Sequence, residues 1–226
     1  MLPHTADPRL HAKRRTVRVV RLGMVPHAAF EPRSDRTTVY AAGLIALATV
    51  LHLVYLAVLC PFDLAPDEAH YWHWSRHLAL AYYSKGPLVA WLIRASCGLF
   101  GDHVLAVRLP AVICHGFLLT GVYVLARETL RSSRLALAVL ALALTVPALT
   151  AGAILMTIDA PFLACWCWTL VFAWRAVNED RQRDWLFAGL CAALGVLAKF
   201  TMLLALPAIA LYLLTNRSEE HTSELQ

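Results

Sequence analysis

A small set of polar residues in an otherwise apolar chain has the types needed for transfer chemistry: Asp67, Glu68, Tyr71, Lys85, Arg108, Asp159 and Lys199. A carboxylate at Asp67 or Glu68 can act as general base on an acceptor hydroxyl. Cations at Lys85 and Arg108 can stabilise negative charge as it develops on a departing phosphate. Each residue also has a plainer reading. Asp67 and Glu68 follow Pro66 in PDEAHYWHWSRHLAL and suit the start of a helix. Lys85 can be an interfacial cation that snorkels to water, and Arg108 a charge near the start of a span. Asp159, just before Pro161, can be an N-cap. Lys199 interrupts an apolar run without a local partner, and a buried cation needs an anion, which a lipid phosphate would supply.

Three histidines, His70, His73 and His77, recur at i, i+3 and i+7 behind Asp67. A divalent cation held by His70 and His73 with a carboxylate is geometrically open. The tight HExxH pattern of zinc hydrolases is absent, and the sequence requires no cofactor.

The elements that must position these residues are membrane helices. With 59% hydrophobic and only 15% charged residues, the chain has too little polar surface for a soluble globule of its size. Stretches at Val39–Leu59, Val104–Ala126, Leu135–Leu155 and Ala160–Ala173 meet or approach the length of a span. The run Trp185–Leu214 is charged only at Lys199. Its thirty or so residues would make about 45 Å of helix, too long for one upright span, so two short helices meeting near Lys199 are expected. The fold class is an all-α transmembrane bundle of about six membrane helices. Two amphipathic helices are expected on the membrane surface in the first loop. The first carries Tyr71, Trp74 and Leu78 on one face; the second, after Pro87, carries Leu88, Trp91, Leu92, Ala95 and Leu99 together, with Arg94 elsewhere. Cys60, Cys97, Cys114, Cys165, Cys167 and Cys191 lack metal-site spacing and read as free membrane thiols.

Most of the 20 Lys and Arg fall in three clusters: an N-terminal arm, Arg127 to Arg134, and Arg175 to Arg183. Placing all three in the cytoplasm makes the intervening spans alternate correctly. Residues 60–103 then form an external loop, and Asp67, Glu68, Lys85, Asp159 and Lys199 gather at the outer surface, with Arg108 about one turn inside it. Polar groups at membrane depth are costly and usually functional. Residues 1–38 read as a disordered basic cytoplasmic arm rather than a nucleic-acid-binding one. Residues 217–226, RSEEHTSELQ, resemble the translation of a sequencing-adapter oligonucleotide and are expected to be artefactual. The membrane domain is thus expected over 39–216.

Five motifs occur in order: PDEAHYW, YSKGPLVAWL, RLPA, LMTIDAPF and GLCAALGVLAKFTMLLALPAIALYLL. Together they resemble bacterial membrane glycosyltransferases of the GT-C type, related to the protein O-mannosyltransferases and the lipid A aminoarabinose transferase. The resemblance covers residues 39–214. It implies a multi-pass protein of the inner membrane with an external active site. It also implies an inverting transfer from a polyprenyl-phosphate-linked sugar to a hydroxyl of a lipid, glycan or protein. By the same match Asp67 is the base, Lys85 approaches the donor phosphate, Asp159 and Lys199 line the cavity, and Tyr71 lies near the acceptor. Around Lys85 this chain departs from the aminoarabinose transferases, which carry Glu before the Lys and two prolines after it, where Ser84 and Gly86-Pro87 stand here. Relatives are about twice this length, so the chain is expected to be the N-terminal part of a longer protein. Two other classes remain open: a secondary transporter using Asp159 and Lys199 as a relay, and a non-catalytic membrane assembly protein.

Overall fold

The computed structural model describes residues 35–83, 85–179 and 181–223, with side chains between 36 and 214. Nearly all of the expected basic arm, and the side chains of the tail at 217–226, lie outside the described residues. The described residues are all-helical, without a strand. In order they form α1 (Asp35–Val54), ending in a π-helical turn at Tyr55–Leu59, then α2 (Pro66–Arg76), α3 (Leu88–Phe100) and α4 (Val104–Leu130). There follow α5 (Ser133–Leu144), α6 (Pro147–Ile154), α7 (Asp159–Asn178), α8 (Gln182–Ala198), a 3-10 turn (Phe200–Leu204) and α9 (Ala205–Ser223).

Among the described residues, three helices are long and apolar enough to cross a membrane: Arg36–Leu59, Val104–Leu130 and Asp159–Asn178. The bent pair α5 and α6 makes a fourth if it counts as one span. This is a multi-pass membrane architecture with three to four candidate spans, fewer than the six or so that the apolar runs suggest. Part of the difference lies at Leu135–Leu155, which is not one straight helix. Its two halves meet at 67°. Pro147 is the cause: it offers no N–H to Ala143, and its ring forces the preceding residue out of the helical region. Val146 accordingly sits at φ −77°, ψ 113°. The rest of the difference lies beyond Arg181, where the chain breaks at Lys199 (φ −150°, ψ 124°). The break leaves an α8 of 17 residues and a short apolar helix, Phe200–Leu214, on either side of the cation.

α4 is the hub. Half of its apolar window is buried inside the protein, against 6% for α1. In a bilayer, helices associate through close packing and polar contacts, since lipid is as apolar as the side chains. Gly121 illustrates the packing: a Cβ there would lie 3.0 Å from Cys167 Sγ and 3.1 Å from Trp168 Nε1 of α7. Trp168 Nε1 also donates to the Phe117 carbonyl at 3.0 Å. At the far end of the same pair of helices, Arg175 grips Glu128 through Nε (3.0 Å) and Nη2 (2.6 Å).

The two loop helices pack at the opposite end, over a core of Tyr71, Val89, Ile93, Cys97, Ala106, Val107, Met156 and Ile158. α3 seats on the protein through a face other than its expected apolar stripe. Val89, Ala90, Ile93, Ser96 and Cys97 are buried, whereas Leu99 of the expected face is 78% exposed. The reason lies in α4. Pro110 lacks the N–H that the Ala106 carbonyl would otherwise receive, and Ser96 Oγ fills that vacancy, donating to Ala106 O at 2.6 Å. This bond lies on the same side of α3 as the buried Val89, Ile93 and Cys97. In α2 the helix stops at Arg76, so Leu78 lies beyond the face expected to include it.

Candidate active site

The first turn of α2 separates two adjacent carboxylates. Consecutive helical residues point about 100° apart, so only one of them can face the protein. Glu68 does, with no exposed surface, while Asp67 stays at the surface. Glu68 reaches back to accept from the Ala65 amide at 2.9 Å, the backward half of a capping box, and accepts from the Met156 amide at 2.9 Å. Its main partner is Arg108, 2% exposed, which donates through Nε to Oε1 at 3.0 Å and through Nη2 to Oε2 at 2.7 Å. The remaining guanidinium donors go to Phe62 O (3.2 Å), Asp63 O (2.9 Å) and Cys60 Sγ (3.2 Å). A fork that satisfies both groups is what an ion pair away from water needs. Arg108 also borders a cavity of about 330 Å³ lined by Tyr55, Leu56, Phe62, Ile154 and Leu155.

Of the residues expected to do chemistry, Arg108 and Glu68 are thus bonded to one another, and Asp67 stands apart from them at the surface. The pair also draws three distant stretches together, namely the end of α1, the start of α2 and the turn between α6 and α7.

Tyr71, one turn after Asp67, is buried beside that same turn, in the cluster that holds Met156, Ile158 and Ala160. Burial, and then the nearby carboxylates of Asp67 and Asp159, push its hydroxyl above the usual tyrosine pKa. Asp67, Tyr71 and Asp159 therefore form one neighbourhood. Lys199 joins it from the break after α8, donating from Nζ to Asp159 Oδ1 at 2.7 Å, with the ammonium 5.5 Å from the centre of the Phe162 ring. The pair is open to solvent, the two side chains being 34% and 50% exposed. The partner that Lys199 lacks locally is thus Asp159, not a phosphate alone.

Lys85 is half-buried in the connection between α2 and α3. That connection is tied back to α2 by Tyr82, whose ring stacks on Trp74 at 4.3 Å and 4°. The Tyr82 hydroxyl approaches the carbonyls of Trp74 and His77, 3.0 Å from each. Lys85 and Tyr82 exchange backbone hydrogen bonds. The histidines do not converge: His70 lies against Trp74 and His73 against His77. Among the described residues no group of three or more His, Cys, Asp or Glu is placed to hold a metal.

Sequence reasoning missed Tyr82, the carbonyls that receive Arg108 and the Met156 amide. Backbone groups carry no residue-type signal. Glu68 did carry one, since it stands three residues after the helix start, where a side chain can reach back to cap.

Residues 84–224 match the family described as dolichyl-phosphate-mannose-protein mannosyltransferase. The chain belongs to this family. Among curated members it is similar to an undecaprenyl phosphate-alpha-4-amino-4-deoxy-L-arabinose arabinosyl transferase of Pseudomonas savastanoi pv. phaseolicola. The two are 30% identical over 186 residues, covering 75% of this chain and 35% of that protein. A transferase of the same description from Pseudomonas aeruginosa is 26% identical over 174 residues, 70% of this chain and 32% of its own length. A lipid A galacturonosyltransferase of Rhizobium johnstonii is 41% identical over 73 residues, 32% of this chain and 15% of its own. The chain thus spans about a third or less of the length of these mannosyltransferase-family relatives. No solved structure matches it.

Proposed function

We propose that the full-length protein is a membrane glycosyltransferase that moves a sugar from a polyprenyl-phosphate donor to an acceptor hydroxyl, with inversion at the anomeric carbon. Support comes from family membership and from relatives whose names specify a polyprenyl-phosphate-linked pentose in one case and lipid A in another. The observation that carries the reading is the convergence of exposed Asp67 with Tyr71, Asp159 and Lys199 at one end of the helix bundle.

In this reading Asp67 takes the proton from the acceptor hydroxyl as its oxygen attacks the anomeric carbon. The bond from that carbon to the phosphate oxygen breaks, and the electron pair leaves on polyprenyl phosphate. Lys85 and Lys199 face the charge that develops there, and Asp159 holds Lys199 in place. Tyr71 stays protonated and lies near the acceptor. Glu68 and Arg108 act from behind the site, fixing the turn that presents Asp67. The loop end of the bundle is the external face of the inner membrane. The N-terminal arm lies in the cytoplasm, and α8 with the helix after Lys199 sits within the bilayer beside the three or four longer spans. The sugar acceptor is a lipid, glycan or protein hydroxyl.

The test is release of polyprenyl phosphate from a polyprenyl-phosphate sugar by full-length protein in membranes, comparing wild type with Asp67→Asn. Loss of release with unchanged insertion is expected, because Asp67 is exposed and Asn keeps its size. Turnover retained in Asp67→Asn would remove it from the role. Vesicle uptake without any donor cleavage would favour a transporter.

A further inference from the structure

Gly86 occupies a position where no other residue fits. A Cβ placed on it would collide with the carbonyl oxygen and carbonyl carbon of Leu197. Both obstacles are backbone, so no side-chain rotation relieves the clash. Leu197 is in the last turn of α8, two residues before Lys199. The carbonyls of a final helical turn lack intrahelical partners, and the missing Cβ lets the loop backbone lie directly on one of them. The neighbour of Gly86 on the other side is Lys85. The loop is therefore held at two points: Tyr82 fixes it to α2, which carries Asp67, and Gly86 fixes it to the end of α8, which carries Lys199.

We propose that Gly86 is a positioning residue that seats the Lys85 loop on the last turn of α8, so that Lys85 and Lys199 form one two-lysine phosphate site. Several observations support it. The chain contains only three lysines, Lys13, Lys85 and Lys199, and two of them meet the same helix end. The carboxyl end of a helix carries partial negative charge, which lowers the cost of holding two ammonium groups close together. Asp159 offsets further charge through Lys199. Arg108, the other cation expected here, is spent on Glu68, which leaves the lysine pair as the cationic surface of the site. The seat is a geometric claim about the loop; the identity of its phosphate rests on the proposed transferase reading.

The two parts are tested separately on the full-length protein. For the seat, a short-spacer amine cross-linker is applied in membranes and the Lys85–Lys199 linkage is read by mass spectrometry of peptides. The linkage should form in wild type and fall several-fold in Gly86→Ala. Gly98→Ala, at a glycine with open space around it, should leave it unchanged. A linkage equally abundant in Gly86→Ala, or absent from wild type, overturns the seat whatever the protein's activity. For the phosphate role, donor turnover is measured in Gly86→Ala, Lys85→Ala and the double variant. Relieving the clash needs a shift on the order of 1 Å, which can cost about 100-fold in kcat/KM. That loss should largely disappear in the Lys85→Ala background, because Gly86 acts through Lys85. Independent, multiplying losses overturn the role, since a merely structural glycine would affect both backgrounds alike. Should Gly86→Ala fail to insert, Leu197→Gly, which loosens the helix end without adding a Cβ at position 86, supplies the comparison: a linkage as abundant as in wild type overturns the seat.

Discussion

Replacing Glu68 by Ala should be among the most damaging single changes in this chain, and its size follows from the contacts. The substitution removes the carboxylate bonded to Arg108 and leaves a guanidinium that is 2% exposed with the carbonyls of Phe62 and Asp63 and the Cys60 thiol. It also strips the acceptor from the Ala65 and Met156 amides. Breaking a buried pair by removing one partner costs about 3–5 kcal/mol, most of it the penalty of the charge left behind. Arg108→Leu should cost a similar amount. The double variant Glu68→Ala/Arg108→Leu should be less destabilised than the sum, with a coupling of about 1–3 kcal/mol. The assay is equilibrium unfolding of full-length protein in mixed micelles titrated with a denaturing detergent. Asp102→Ala provides an internal contrast: its ion pair with Arg76 is exposed, so its loss should cost less than about 1 kcal/mol. Single changes at Glu68 and Arg108 that are each mild and simply additive would refute the brace. So would a Glu68→Gln protein of wild-type stability that has lost all turnover, because Glu68 would then be a reacting group.

Other consequences are less costly to check. Lys199→Met and Asp159→Asn should each change stability by less than about 1 kcal/mol, since the pair is substantially exposed, yet each should lower donor turnover at least about tenfold, read by polyprenyl phosphate release. Tyr71 should ionise above the ordinary tyrosine range in an alkaline absorbance titration, and Tyr71→Phe should remove that component. The sign follows: above the ordinary tyrosine pKa of about 10 the unfolded chain has lost a proton that the fold retains, so stability present below that pH is lost as pH rises through the folded value. Pro147→Ala should straighten the 67° bend, lengthening the distance between spin labels at the exposed positions Leu142 and Thr150.

The sequence disclosed the charged residues of the site because the membrane makes them conspicuous. Lys199 in an apolar run and Asp159 ahead of Pro161 needed a reason to exist, and each is the other's partner across 40 residues. What it could not disclose was direction. Asp67 and Glu68 are both acidic and adjacent, and which one turns inward depends on Arg108, a residue of another helix. α3 poses the same problem: it has apolar residues on more than one face, and the one that seats is also the one whose Ser96 can meet the carbonyl that Pro110 has freed. Lengths were legible where apolar runs were continuous and failed at Val146–Pro147, where a local backbone constraint overrides the hydropathy pattern. Gly86 showed only as a departure from the prolines of the aminoarabinose transferases, because its constraint comes from Leu197, more than a hundred positions away.

The brace around Arg108 also orders events during synthesis. Its parts leave the ribosome in sequence: Cys60, Phe62 and Asp63 first, Glu68 next, Arg108 after them, and the Met156 amide last. Until α4 has entered the bilayer, Glu68 has no counter-charge, and α2 has only its own first turn to hold it. The loop that presents Asp67 can close only once the chain has reached the turn between α6 and α7. A nascent protein stopped before that point would carry its first helices in the membrane with Glu68 still lacking the Met156 amide. Closure of this end of the bundle is therefore tied to the arrival of the Asp159 helix.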